Sequence, residues 1–342
     1  MTNGKSRLQE FEALRALSII LLLALHSDVF SLDLFGFALD PISHFVGAFL
    51  LGSFFFLAGY FQEVSMSKPT WSAVSYVKSK FIRIFPPYWL ALALFVLVMG
   101  YSMKRFDLTI YALNLQFIFL PNFVKQLLTL WYISLVTGFY VLFGLLAYWV
   151  KSGRALAVWA VMIFGAAYLL SNWTGLLDGR FFVYYFIFLA GIYFARYENL
   201  RERLFGIHIG VKILAALLGA VAFRLALVSG IIFTSAPYLL AVALFILSWV
   251  LLWLSIFRTA VGGWALWTPI STASFFAYLL HRPIWAILMV WLAPYMGLSA
   301  IMFQFIPGSI ATLVICYFMQ NGYDALLRSF QRPRMTPAST GD

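Results

Sequence analysis

The sequence predicts an all-α, polytopic membrane protein of about ten transmembrane helices with both termini in the cytoplasm. Three observations carry that expectation. Of the 342 residues, 63% are hydrophobic and only 10% charged; a soluble domain carries about 25% charged residues, so that class is excluded. Apolar segments long enough to span a bilayer lie at roughly 13–30, 42–61, 84–103, 129–150, 155–172, 180–196, 209–229, 235–256, 268–292 and 298–319. With the N-terminus placed inside, sixteen of the 23 basic residues fall on the cytoplasmic side; only Lys104, Arg105, Lys125 and Arg180 fall outside, and Arg15, Arg224 and Arg282 fall within spans.

Lys5 and Arg7 precede the first apolar stretch as in a signal peptide, but Glu10, Glu12 and Arg15 crowd it and no small-residue cleavage site follows. A retained first helix is expected. The connection 62–83 carries Lys68, Lys78, Lys80 and Arg83 and is expected to hold an amphipathic helix on the membrane surface. The connection 104–128 contains YALNLQFIFLPNF, too short to span and too apolar for an open loop. A re-entrant or interfacial element fits it, with its backbone covered by protein. The absence of an internal repeat disfavours transporters built from duplicated halves. Residues 1–320 read as one transmembrane domain and 321–342 as a flexible cytoplasmic tail.

The 36 Phe, 18 Tyr and 12 Trp suit a surface that meets lipid and aromatic belts at two interfaces. The net charge of +11 is spread over short connections, so it reads as a topology signal and not as a nucleic-acid surface. Cys316, the single cysteine, lies in an apolar run and reads as packing. Four scattered His and one Cys give no metal-ligand spacing, so no metal is expected.

Arg15 and His26 are eleven residues apart in the first span. At about 100° and 1.5 Å per residue they share one helix face, roughly 16 Å apart along the axis. Ionisable groups inside a membrane mark a functional path, and this pair is the leading candidate for chemistry, with His26 at mid-depth. Four further segments accompany it. GSFFFLAGYF (52–61), with Gly47, Gly52 and Gly59, offers smooth patches for close helix approach. KFIRIFPPYWLA (80–91) carries Arg83 at the cytoplasmic rim, with Pro86 and Pro87 at the expected start of the third helix. LWYISLVTGFY (130–140) opens the fourth, with Trp131 and Tyr132 at an interface. In SFFAYLLHRPIW (274–285), the spacing of Ser271, Ser274, Tyr278 and His281 makes one polar stripe, and Pro283 is expected to kink the helix beside Arg282.

Taken in order over roughly residues 10–320, these segments resemble the acyltransferase-3 family of integral membrane O-acyltransferases. The family shows an Arg-x10-His pair in the first helix, Phe-Phe-x-x-[Ser/Ala]-Gly-[Phe/Tyr] in the second, Arg-[Ile/Leu]-x-Pro-x-Tyr entering the third, Trp-[Phe/Tyr]-[Leu/Ile] opening the fourth, and a late Tyr-Leu-Leu-His. Two departures stand out: Val136, Thr137 and Gly138 occupy positions where many members are acidic, and no appended esterase-like domain is expected. Any transfer is then expected to be completed by the membrane part or by a separate protein.

The resemblance implies an enzyme of the cytoplasmic (inner) membrane. It moves an acyl group, usually acetyl, from cytoplasmic acetyl-CoA to a hydroxyl of an extracytoplasmic or lipid-linked glycan. The physical reading agrees: polyanionic CoA needs cations at the inner rim, where Arg15, Arg83 and Lys80 are expected to bind it. His26 is expected as general base or transient acyl carrier, which requires it neutral, so activity should fall on acidification. His281 is expected at similar depth, positioning the acceptor or the developing oxyanion with Tyr278. Arg282, Arg224, Trp131, Tyr278 and Ser274 are the expected acceptor-side residues. For Tyr278 and Ser274 the alternative is interhelical packing, and for Arg224 an outward snorkel. A transporter or flippase of a lipid-linked saccharide, and an acyltransferase acting on a lipid or small molecule, are the rival readings. Homo-oligomerisation is left open.

Overall fold

The computed structural model describes residues 9–34 and 37–331. Helix α1 (Gln9–His26) leads through a short turn and a two-residue antiparallel ladder, β1 (Asp33–Leu34) with β2 (Phe37–Ala38), into α2 (Asp40–Met66). Then follow α3 (Ala73–Leu97), α4 (Arg105–Ala112), α5 (Gln116–Phe119), α6 (Trp131–Trp149), α7 (Gly153–Thr174) and α8 (Gly179–Arg196). The chain ends with α9 (Glu198–Gly206), α10 (Ile209–Val228), α11 (Ala236–Phe257), α12 (Trp267–Trp291), α13 (Ala300–Phe303), a π-turn, and α14 (Ser309–Gln331).

Each of the ten expected segments coincides with a long helix. Among the described residues, eight helical stretches are long and apolar enough to cross a membrane: α2, α3, α6 with its preceding turn, α7, α10, α11, α12, and α13 through α14. Helices α1 and α8 have 18 residues each, about 27 Å, but carry charge at their ends. Both lie inside the bundle: α1 packs on α2, α11 and α12, and α8 packs on α2.

Glycine sets the closest of these contacts. A Cβ on Gly59 of α2 would stand 2.1 Å from the Phe188 carbonyl oxygen, and one on Gly191 of α8 would stand 2.0 Å from that of Phe56. The two helices therefore approach backbone to backbone at two reciprocal points. Gly52 likewise makes room for Ile246 of α11, whereas Gly47 is only in ordinary contact range of Leu25. Where α2 and α8 reach the rim, Arg196 forks onto Glu63 at 2.7 and 3.0 Å.

The third helix departs from expectation. It starts at Ala73, capped by the Ser72 side chain, so no separate amphipathic helix fills 62–83. Pro86 and Pro87 fall inside it. The polar first half, with Lys78, Lys80 and Arg83, hid the helix from a hydropathy reading. Pro86 has no N–H for the Ile82 carbonyl, and the Tyr323 hydroxyl of α14 donates to that carbonyl instead. Helix α14 runs to Gln331, so 321–331 of the expected tail are helical; 332–342 lie outside the described residues, as do Lys5 and Arg7.

The 104–128 connection folds back as α4 and α5, with its backbone covered by protein. Tyr88 donates to the Tyr111 carbonyl at 2.7 Å, and Gln116 to that of Leu130 at 3.1 Å. The Tyr111 hydroxyl donates to the Lys125 carbonyl at 3.0 Å and accepts from the Leu127 amide at 2.7 Å. These bonds hold the strip 125–130 over the end of α1, where it walls a cavity.

Candidate active site

His26 is the last residue of α1, not a mid-helix residue, and it lines a cavity of ≈ 230 Å³. Leu22, Leu25, Leu50, Leu51 and Leu128 form the apolar wall; Gln126, Thr129, Trp131, Tyr278 and Arg282 complete the lining. His281 of α12 stands behind His26, wholly buried, with the two ring planes within 8° of parallel and their centroids 4.9 Å apart.

The hydrogen bonds of this pair fix where the protons sit. His281 Nδ1 is 2.9 Å from the Ala277 carbonyl oxygen and 3.0 Å from that of Tyr278. Carbonyls only accept, so this nitrogen carries the proton. In the neutral ring the other nitrogen, Nε2, is then an acceptor. It lies 2.9 Å from His26 Nδ1, which must donate to it. The second nitrogen of His26, Nε2, is left without a proton on the residue that lines the cavity. The chain carbonyl–His281–His26 thus fixes the orientation of the His26 ring. His281, expected to position the acceptor or the developing oxyanion, has both ring nitrogens engaged and no exposed surface in this structure.

The other expected residues divide. Trp131 and Tyr278 line the cavity, but the Tyr278 hydroxyl donates to the Thr129 carbonyl at 2.6 Å and ties α12 to the strip before α6. Ser274 donates to the Ser271 carbonyl of its own helix at 2.7 Å and is not among the lining residues. Arg224 is exposed on α10, away from the cavity, in keeping with the outward alternative. Arg282 lines the cavity beside His26. Tyr132, expected at an interface, is buried among Phe54, Phe55 and Tyr278.

Three residues escaped the sequence reading. Asp178 caps α8, accepting from the Arg180 amide at 2.9 Å, and grips the Arg180 side chain, with Nε donating at 2.8 and 2.9 Å. The guanidinium thus held lies 3.9 Å over the Trp131 ring and donates to Gln126 Oε1 at 3.3 Å. Arg180 is thereby a fixed strut for two lining residues. Gln126, its oxygen engaged, keeps its amide N–H groups for other partners. An acid two positions before an Arg at a helix start was the available signal.

At the far end of α1, Arg15 lies 5.0 Å from the Phe61 ring and within electrostatic reach of Tyr132 and Tyr140. Lys80 sits 3.6 Å over the Tyr140 ring and feels Arg83 and Arg15. Lys80 of α3 therefore lies within electrostatic reach of both Arg15 of α1 and Arg83 of its own helix. Lys80 also borders a second cavity of ≈ 160 Å³ lined by Lys68, Trp71, Tyr76 and several serines.

A family model described as an acyltransferase domain, acyltransferase-3, matches residues 8–320. No match was found to a curated protein or to a solved structure.

Proposed function

We propose, for a chain that belongs to the acyltransferase-3 family and is by that membership a membrane acyltransferase, that it acylates a glycan hydroxyl from acetyl-CoA across the cytoplasmic membrane. The observation that carries this reading is His26 on a cavity wall, with Nδ1 engaged by His281 and Nε2 left over, on the same helix as Arg15 and its cation cluster. Arg15, Lys80 and Arg83 hold the phosphates of the donor. The thioester end reaches toward His26, about 16 Å further along α1, a distance suited to an extended pantetheine arm.

His26 Nε2 takes the proton of the acceptor hydroxyl as its oxygen attacks the thioester carbonyl carbon. A carbon–oxygen bond forms and the carbon–sulfur bond breaks. The departing thiolate recovers the proton from His26 and leaves as CoA. Throughout, His281 accepts from Nδ1 and steadies the imidazolium that forms transiently. A route in which Nε2 itself carries the acyl group uses the same geometry.

Reconstituted protein given labelled acetyl-CoA and membrane extract should transfer label to glycan, with surface glycans losing acetyl groups in cells that lack the gene. Arg15→Ala should weaken CoA binding by about 2–3 kcal/mol, the scale of a partly desolvated charge-assisted contact. Wild-type protein that neither binds nor turns over acetyl-CoA overturns the reading and favours a transporter of the lipid-linked saccharide.

A further inference from the structure

Arg282, unlike Arg196 and Arg180, is not paired with a carboxylate among the described residues; Arg15 shares that state but lies against the Phe61 ring. Arg196 is forked by Glu63 and Arg180 by Asp178. Arg282 lines the cavity beside His26, with its Nε buried and without a hydrogen-bond partner among the described residues. No carboxylate lies within ion-pair distance of it among those residues. The charge that acts on it from α1's end is Asp28, exposed in the turn after His26, with Tyr101 as a second, weaker neighbour. A guanidinium placed in a membrane bundle without a paired carboxylate is costly. Its planar fork matches a carboxylate or a phosphate, and bringing such a group into the cavity would offset that cost.

Position makes the match specific. Arg282 follows His281 in sequence and shares the cavity with His26, so an anion bound to it sits beside the hydroxyl that His26 deprotonates. The volume of ≈ 230 Å³ is below that of drug-sized pockets, so it suits one ring of a chain and not several. Gln126, with free amide N–H groups, and Trp131 supply the neutral contacts of that ring.

We propose that the cavity selects an anionic acceptor: a sugar residue bearing a carboxylate or phosphate next to the hydroxyl that is acylated. This deepens the acyltransferase reading and rests on it for the reaction, though not for binding. The test uses purified full-length protein in lipid nanodiscs and isothermal calorimetry. The probes are trigalacturonate, its fully methyl-esterified form, and a galactose trisaccharide carrying a 6-phosphate on its terminal ring.

At least one anionic probe should bind tenfold or more tightly than the esterified one, and which one does so separates carboxylate from phosphate. Arg282→Gln should erase the difference and Arg282→Lys should keep part of it, since lysine retains charge without the fork. Neither should alter acetyl-CoA affinity, read at the opposite end of α1. In transfer assays Arg282→Gln should lower kcat/KM for the anionic acceptor by tenfold or more while leaving the esterified one within about threefold. Equal binding of charged and esterified probes, binding of none, or an equal loss for all acceptors in Arg282→Gln overturns the proposal; the last would assign Arg282 to the oxyanion. Anion-selective binding without acetyl-CoA turnover would leave this inference standing and remove the acyltransfer from acetyl-CoA. Acetylation without charge preference would do the reverse.

Discussion

His26 and His281 differ in what their ring nitrogens are free to do. One lines the cavity with a bare Nε2; the other spends Nδ1 on two carbonyls and Nε2 on its neighbour. Their substitutions should therefore separate. His26→Ala should cost about 10²–10⁴ in rate, the range for loss of a general base. His281→Ala should lower kcat by less and leave KM for acetyl-CoA unchanged, since it only orients and supports His26. His281→Gln, whose side-chain oxygen still accepts from His26 Nδ1, should recover part of the loss. Steady-state transfer kinetics on the three variants decide the matter; a His281→Ala enzyme at wild-type rate would remove the relay. The eleven-residue spacing exposed Arg15 and His26, because helical periodicity is local. That His281 stands behind His26 was not legible: both lay on polar faces, and only the packing of α1 on α12 assigns their nitrogens. For Arg224 a helix wheel left lining and outward snorkel both open, because it does not say which face meets the bundle, and α10 turns this face outward.

Among the elements, α2 and α8 form the contact least tolerant of change. The reciprocal approach at Gly59 and Gly191 leaves no volume for a methyl group against the opposing carbonyls. Gly59→Ala and Gly191→Ala should each destabilise the fold by about 1–3 kcal/mol, as overpacking does. Gly165→Ala, where an added Cβ meets open space, is the control. Thermal midpoints in detergent should fall for the first two only. The GSFFFLAGYF segment announced this contact because small residues have few other uses at such spacing. The start of α3 was missed because proline normally opens a helix and the charged half before it lacks a hydrophobic signature. Only α14 reveals why the proline is tolerated: Tyr323 satisfies the carbonyl that Pro86 frees. Tyr323→Phe should leave that acceptor without its bond, at a cost of about 1–3 kcal/mol.

At the scale of the whole molecule, hydrogen bonds sort the connections into two ends. Thr268 donates to Glu12, Tyr193 to the Gly153 carbonyl, Lys212 to Ser255 and Arg196 to Glu63, so the starts of α1, α7, α10 and α12 gather with the ends of α2, α8 and α11. The opposite end collects Asn122 on Gly175 and Arg180 on Gln126, beside the cavity of His26. The first end also holds Lys68, Lys151, Arg154, Arg201, Arg203 and Arg258, so the positive-inside rule predicts that it faces the cytoplasm. Under the proposed function, that orientation would let the cation cluster meet a cytoplasmic donor and the His26 cavity an external acceptor. Cysteine scanning tests it, and the native Cys316, fully buried, gives little background. In intact spheroplasts a membrane-impermeant maleimide should modify cysteine placed at Asn122, an exposed loop position, and spare one at Ser67 until the membrane is opened. Ser339, outside the described residues, should behave as Ser67 does. Modification of Ser67→Cys in sealed spheroplasts would turn the cation cluster away from the CoA pool. The direction of transfer, and with it the assignment of Arg15, Lys80 and Arg83 to the donor, would then fall together, since no cytoplasmic thioester could reach them.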